Sequence, residues 1–171
     1  TYGGHGVWGW DDGTKPPTDH PDTGTPMAWS KALTMPGAEQ MAHVYDFFTS
    51  IDWWKLRPAP PMIRGNPGVG APQKYLAAAK SDDRNLCAVY VPEDRTVEVL
   101  LNLMPTSPNV SWFNPRTGEK SPAVAVVTSD TCQFPTPAEG DWVLFMKMEK
   151  KEDKPATDKV SAEKPQGGVK K

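Results

Sequence analysis

The 171-residue sequence has few cysteines, no long apolar run and no excess of positive charge. No Cys-x-x-Cys pair is present, so a structural zinc site is not predicted. No window approaches the roughly 18 apolar residues of a membrane-spanning helix. The formal net charge of −2 lacks the basic excess by which proteins bind duplex nucleic acid. We therefore expect no metal, no cofactor, no membrane span and no nucleic-acid partner.

The two cysteines, Cys87 and Cys132, leave their redox state open. One disulfide forms if the protein is exported and the two side chains meet, but cysteines on neighbouring strands serve equally well as small, free apolar residues. The sequence alone does not choose between these alternatives.

The chain is rich in tryptophan, proline and glycine, with seven, nineteen and fourteen residues respectively. The prolines and glycines favour turns and extended segments over long helices. Tryptophan is costly to leave in water, so its abundance predicts either a dense core or an aromatic-lined site. Five tryptophans precede residue 55, whereas Trp112 and Trp142 fall in strand patterns and are predicted to be core.

The first ten residues combine glycines, aromatic residues and one histidine. Glycine lets a ligand approach the main chain, and indoles offer flat apolar faces with a polar N–H at the edge. This combination suits a sugar; the alternative is a glycine-rich loop whose tryptophans pack on a core. The candidate contact residues are Tyr2, His5, Trp8 and Trp10.

The next stretch, residues 11–24, has the composition of a loop with four acidic residues and one histidine. Carboxylate oxygens suit calcium, but the spacing does not match an EF-hand loop and the terminal bidentate glutamate is missing. A solvated acidic loop is therefore the preferred interpretation.

From Ala28 the sequence pattern is helical. A short helix is predicted before Pro36, and a second helix follows with Thr34 placed to cap it and Pro36 in its first turn. The second helix needs a large partner surface, and none precedes it, so we expect the natural protein to extend upstream of Thr1. Its apolar stripe, which Phe47 widens, consists of Ala38, Met41, Val44, Tyr45 and Phe48.

Composition divides the chain into four parts. Residues 58–72 carry so many prolines and glycines that they are predicted to be a semi-rigid linker between residues 1–57 and a β domain at 73–148. Residues 149–171 contain few large apolar groups and are predicted to be a disordered, charged tail. The β domain has six short runs of period-two alternation, which predict an antiparallel sandwich. These runs are 76–80, 86–91, 96–103, 110–114, 123–127 and 142–148.

Six motifs occur in a recognisable order along residues 1–148. The first four are Thr1-Tyr2-Gly3 with His5-Gly6-Val7-Trp8, Trp29-x-x-Ala32-Leu33, Pro36-Gly37-Ala38-x-Gln40-Met41 and Trp53-Trp54-x-Leu56-x-Pro58. They resemble the end of the apiosidase-like glycoside hydrolase catalytic domain. The last two are Ala88-Val89-Tyr90-Val91-Pro92 and Trp112-Phe113-Asn114-Pro115-Arg116-Thr117-Gly118. They resemble the sandwich that follows it, known as the "putative collagen-binding domain of a collagenase".

The resemblance implies an α+β fragment in which 1–57 is the tail of a (β/α)8 barrel, a loop plus helices, followed by an antiparallel β-sandwich. Tyr2 would then end the last barrel strand, and His5, Trp8 and Trp10 would lie in the loop over the pocket. Family members are expected to hydrolyse glycosidic bonds with two carboxylates borne on earlier strands. We therefore expect no catalytic residue in this chain and no activity of the fragment alone.

The expected function is that of a C-terminal fragment of a glycoside hydrolase acting on polysaccharide, with the sandwich as an accessory. The alternative is a non-catalytic module that binds carbohydrate or collagen. A zinc-dependent collagenase is not indicated, because no His-Glu-x-x-His motif is present. Carbohydrate is the expected partner, the oligomeric state is left open, and we expect a secreted or periplasmic bacterial protein.

Overall fold

The computed structural model of the chain describes residues 14–15, 25, 28–66 and 68–148. The predicted disordered tail at 149–171 lies outside these residues. Within the described ranges, two α-helices come first and nine strands follow. The helices are α1 (Trp29–Ala32) and α2 (Pro36–Thr49). The strands are β1 (Leu56–Pro58), β2 (Ala77–Ser81), β3 (Leu86–Val91), β4 (Thr96–Leu100), β5 (Pro108–Phe113), β6 (Lys120–Pro122), β7 (Val126–Val127), β8 (Thr131–Pro135) and β9 (Trp142–Met148).

The strands form two antiparallel sheets. One has six strands in the order β1-β2-β3-β9-β5-β6, and the other has three in the order β4-β8-β7. Their inner faces share one hydrophobic core, as in a β-sandwich. The prediction of an antiparallel sandwich is confirmed, whereas the barrel-tail assignment of residues 1–57 stays a prediction.

Strand β9 lies at the centre of the larger sheet and pairs with β3 on one side and β5 on the other. Because side chains alternate across a strand, Trp142, Leu144 and Met146 face the core while the residues between them face outward. Val89 of β3 pairs with Leu144, and both are fully buried. This alternation gives the six-stranded sheet an inner face in the sandwich and a separate outer face.

The smaller sheet closes the core from the opposite side. Val97 and Val99 of β4 are fully buried and pair with Phe134 and Cys132 of β8. The bounds of β3 and β9 match the predicted runs, but the run predicted over 96–103 leaves the sheet after Leu100 and continues as a single 3-10 turn. Strand β8 was not predicted, because its two apolar positions stand between turn residues and Pro135.

The proline-rich stretch predicted as a linker contributes directly to the core. Ala59, Met62 and Ile63 are buried there, and Ile63 forms an isolated bridge with Val99. The Asn66 side chain also donates to the Leu76 carbonyl at 2.9 Å. Proline limits the backbone to extended and 3-10 conformations, and such a backbone presents apolar side chains to a neighbouring sheet without forming a long element of its own.

Trp112 and Trp142 are core residues, as predicted, with 2% and 8% of their surface exposed. Their rings meet edge to face with centroids 6.4 Å apart, and the Trp142 indole N–H donates to the Ala138 carbonyl at 2.9 Å. Cys87 and Cys132 are both buried free thiols in the same core. The structure therefore uses the cysteines as small apolar side chains.

None of the described helices combines the length and apolarity needed to cross a membrane.

Candidate functional site

The predicted sugar-contact residues Tyr2, His5, Trp8 and Trp10 lie outside the residues that the structure describes, as does most of the acidic loop. Among the described residues, no cluster of histidine, cysteine and acidic side chains is arranged to hold a metal ion. Two features carry functional information: the helix α2 with the tryptophans that follow it, and a groove on the outer face of the six-stranded sheet.

Helix α2 has Pro36 in its first turn, as predicted, but Thr34 does not cap it. The N-cap residue is Met35, and the Thr34 hydroxyl instead donates to the Lys31 carbonyl at 2.9 Å. The missing side-chain cap is offset in part by the proline at the first helical position and by the negative charge of Glu39 in the first turn. The helix therefore relies on tertiary packing for much of its stability.

The packing of α2 is centred on Phe47, which is 4% exposed. Its ring stacks on Phe113 of β5 with centroids 4.7 Å apart and meets Phe145 of β9 edge-on at 5.4 Å. Ile51, just after the helix, joins the same cluster together with Leu86 of β3. The residue predicted only to widen the apolar stripe is therefore the anchor of the helix on the sandwich.

Two further contacts fix the direction in which α2 crosses the sheet. His43 packs on Gly118, where an added Cβ would lie 2.7 Å from the imidazole Nδ1; the φ of +76° at this position also favours glycine. The Lys120 ammonium lies 5.9 Å from the centroid of the Phe47 ring. The helix thus runs from the β5–β6 turn toward the start of β3.

The opposite side of α2 is exposed to solvent. Met41 and Phe48 are each 42% exposed and Tyr45 is 69% exposed, although all three belong to the predicted apolar stripe. Trp53 and Trp54 follow in a 3-10 turn with 53% and 57% of their surface exposed, and their rings meet edge to face. Several large apolar side chains exposed on one short segment typically mark a site of association.

The second feature is a groove of about 950 Å³ where α2 leaves the rest of the outer face uncovered. Its apolar floor consists of the buried side chains of Ile51, Leu86 and Phe145. Polar side chains from β5, β6, β9 and the β2–β3 turn surround this floor. The groove therefore combines a small apolar base with many hydrogen-bonding groups.

The two carboxylates that line the groove, Asp52 and Asp83, both accept hydrogen bonds from neighbouring side chains. Asp52 accepts a 2.7 Å hydrogen bond from the Lys55 ammonium, and this bond raises the pKa of Lys55. The Ser81 hydroxyl donates to Asp83 at 2.5 Å and the Asn85 amide at 3.0 Å, which lowers the pKa of Asp83. A glycosidase acid needs a raised pKa, so Asp83 does not suit that role.

Two lysines of the groove, Lys120 and Lys147, form no ion pair with any described residue. They are the charges of the groove that no described carboxylate neutralises. Sequence reasoning did not single them out, because isolated lysines in strands usually indicate only a solvated face. The register of the sheet brings the two lysines to the same surface.

A third polar cluster stabilises the sandwich at the start of β9. Asp141 accepts a 3.2 Å hydrogen bond from the Tyr90 hydroxyl and faces the Arg116 Nε at 3.3 Å. The Arg116 guanidinium also lies 5.9 Å from the centroid of the Trp142 ring. Because Arg116 packs closely on Gly140, this cluster serves to hold the β5–β6 turn against β9.

Comparison with protein families gives two matches, one after the other along the chain. Residues 58–147 match the family described as "Putative collagen-binding domain of a collagenase". Residues 1–55 match the family described as "Apiosidase-like, catalytic domain". Among curated proteins, none matches the chain.

Solved structures with a similar fold include two glycoside hydrolases. One, titled "Glycoside hydrolase", is 20% identical with a TM-score of 0.60 over 75% of this chain and 30% of its own. The other, a glycoside hydrolase family 5 protein from Bacteroides vulgatus ATCC 8482, is 21% identical with a TM-score of 0.59 over 70% of this chain and 26% of its own. The chain therefore spans less than a third of the length of these structures.

Proposed function

Because the chain belongs to the family of the "Putative collagen-binding domain of a collagenase" and carries an apiosidase-like segment before it, we propose that it is the C-terminal part of a glycoside hydrolase acting on polysaccharide. In this proposal the catalytic carboxylates lie on strands upstream of these residues, and the sandwich is an accessory that follows the catalytic barrel. In this proposal the protein is secreted or periplasmic.

The observation that carries the proposal is the two-sided character of α2. One side is anchored on the sandwich through Phe47, while Met41, Tyr45 and Phe48 remain exposed on the other. An outer helix of a (β/α)8 barrel buries such a stripe against the barrel strands. In the proposed protein α2 therefore contacts the barrel and the sandwich at once and couples the two domains.

The proposed role of the N-terminal residues is to line the rim of the sugar pocket. Trp8 and Trp10 would stack on sugar faces, with Tyr2 at the end of the last barrel strand. His5 would donate a hydrogen bond to a sugar hydroxyl or to a catalytic carboxylate. Bond cleavage itself belongs to the upstream carboxylate pair, whose separation sets a retaining or inverting outcome.

The alternative function is a binding module for carbohydrate or collagen. The two tryptophans of the sandwich, Trp112 and Trp142, do not favour it as the main role, because both are buried and present no stacking platform to a ligand. The exposed pair Trp53 and Trp54 belongs to the helical segment beside α2, where the proposed barrel lies.

The direct test is expression of the chain together with the upstream part of its reading frame. We expect this longer protein to release reducing ends from polysaccharides such as rhamnogalacturonan fragments, and the 171-residue chain alone to release none. His5→Ala and Trp8→Ala in the longer protein are expected to lower kcat/KM by at least tenfold, whereas Lys31→Ala, an exposed control, leaves it unchanged.

Two results would contradict the proposal. A reading frame that starts just before Thr1 would leave no room for a catalytic barrel. Turnover by the 171-residue chain alone would mean that the carboxylate pair lies within it. Unchanged kinetics in His5→Ala and Trp8→Ala would remove only the pocket-rim assignment.

A further inference from the structure

We propose that the groove on the outer face of the six-stranded sheet binds a segment of uronic-acid-containing polysaccharide, whose carboxylates are received by Lys120 and Lys147. The inference rests on the proposed function for the sugar chemistry of the ligand and adds a second binding site remote from the pocket rim. Nothing in the family relationship assigns this groove to a ligand.

The charge of the groove selects an anionic ligand. Lys55 is already paired with Asp52, and Asp83 is held by Ser81 and Asn85, so these groups are satisfied within the protein. Lys120 and Lys147 are the remaining formal charges of the lining, and neither has a carboxylate partner among the described residues. A ligand that brings carboxylates supplies the missing partners.

The spacing of the two lysines selects an extended ligand. In the sheet register Lys147 of β9 pairs with Asn109 of β5, and Lys120 of β6 pairs with Phe113 of β5. Four residues along a strand and two strand spacings place the two backbones roughly 16 Å apart. The two lysines therefore start from well-separated positions along the groove, which fits a chain with carboxylates on successive units better than one small anion.

The lining between the two lysines suits the faces and hydroxyls of sugar rings. Phe145 and Leu86 provide an apolar base, and the Ser111 hydroxyl lies on β5 between the two pairing positions. Pyranose rings have one apolar face and a hydroxyl rim, so a small hydrophobic floor surrounded by polar groups matches them.

The test is calorimetric titration of the 171-residue chain with oligogalacturonate and with the same oligosaccharide after methyl esterification. We expect the free acid to bind and the methyl ester, which has the same backbone without the charges, to bind at least ten times more weakly. Because the contact is electrostatic and partly exposed, the affinity for the free acid is expected to fall as salt rises. Equal binding of acid and ester, or binding of neither, would overturn the proposal.

Variants locate the site. Lys147→Gln is expected to weaken oligogalacturonate binding about tenfold, and Lys147→Arg to retain most of it, because a charge-assisted hydrogen bond is lost only in the first. Lys31→Gln, which removes an exposed lysine on α1, is the control and leaves the affinity unchanged. Unaltered binding in Lys147→Gln would exclude the groove, even if the chain binds the acid elsewhere.

A folding control is needed for the second lysine. Because Lys120 lies over the Phe47 ring, the binding affinity of Lys120→Gln is interpreted together with its unfolding midpoint. An unchanged midpoint shows that the variant is folded.

A triple-helical collagen peptide that binds through Lys147 while oligogalacturonate does not would overturn the proposal in favour of the other ligand class. Loss of hydrolysis by the longer protein would count against the proposed function alone, because this titration measures binding without turnover.

Discussion

The two faces of the six-stranded sheet differ in how completely they are covered. The inner face is closed by the second sheet and carries fully buried residues such as Val89 and Leu144. Among the described residues, Phe47 and Ile51 of the helical segment cover the outer face at Phe113 and Phe145, and beyond them lies a groove whose Lys120 and Lys147 have no described carboxylate partner. The inner face accounts for the fold, whereas the outer face offers surfaces for a domain and a ligand.

The largest expected loss of stability comes from a substitution on the inner face. Leu144→Ala removes a side chain that is fully buried at the centre of β9, and nearby residues can close the resulting cavity only in part. We expect the free energy of unfolding to fall by about 3–5 kcal/mol. Urea unfolding followed by circular dichroism measures it; a loss under about 1 kcal/mol would mean that the inner face is not the main core.

A smaller loss of stability is expected from a substitution in the cluster on the outer face. Phe47→Ala removes the ring that stacks on Phe113, and we expect the free energy of unfolding to fall by about 3 kcal/mol, since this outer-face cluster is smaller than the main core. Tyr45→Ala on the exposed side of the same helix is the matched control and should change stability by less than about 0.5 kcal/mol. Equal losses in both variants would show that α2 is not anchored through Phe47.

A cysteine of the inner face, Cys87, is expected to make the stability of the protein depend on pH. Burial raises the pKa of the Cys87 thiol from its ordinary value of 9.0 to about 11. The folded state then favours the neutral thiol, so its contribution is fully present below pH 9 and is lost as the pH rises toward 11. We expect Cys87→Ala to remove roughly 1–2 kcal/mol of the stability lost between pH 8 and pH 10.5.

The measurement is the difference in unfolding free energy between the two pH values, taken for the natural chain and for the Cys87→Ala variant. Lysines and tyrosines that titrate in the same range are present in both proteins and cancel in the comparison. Identical pH dependence in the two proteins would mean that the thiol is not desolvated.

The sequence was sufficient for the strongest local patterns. The bounds of β3 and β9 and the burial of Trp112 follow from alternation of apolar residues, which is a property of each strand alone. The strand β8 was missed because its identity depends on pairing with β4, more than thirty residues away. The residue type of Thr34 predicts a helix cap, but its hydroxyl donates to the Lys31 carbonyl instead.

The functional surfaces were harder to predict than the fold. Helical periodicity identified the apolar stripe of α2, but it could not show that Phe47, at the edge of the stripe, would find the aromatic pair Phe113 and Phe145. The two groove lysines lie on different strands and come to one surface only through the register of three strands. Long-range register is the information that a single sequence lacks.

The central claim is that the exposed side of α2 belongs to a catalytic domain upstream, and residue-level hydroxyl-radical labelling with mass spectrometry tests it most directly. Phe47 should be protected both in the 171-residue chain and in the longer protein, and the exposed Val69 of the sandwich should be labelled in both. Met41, Tyr45 and Phe48 should be labelled in the 171-residue chain and protected in the longer protein. Equal labelling of these three residues in both proteins would contradict the claim.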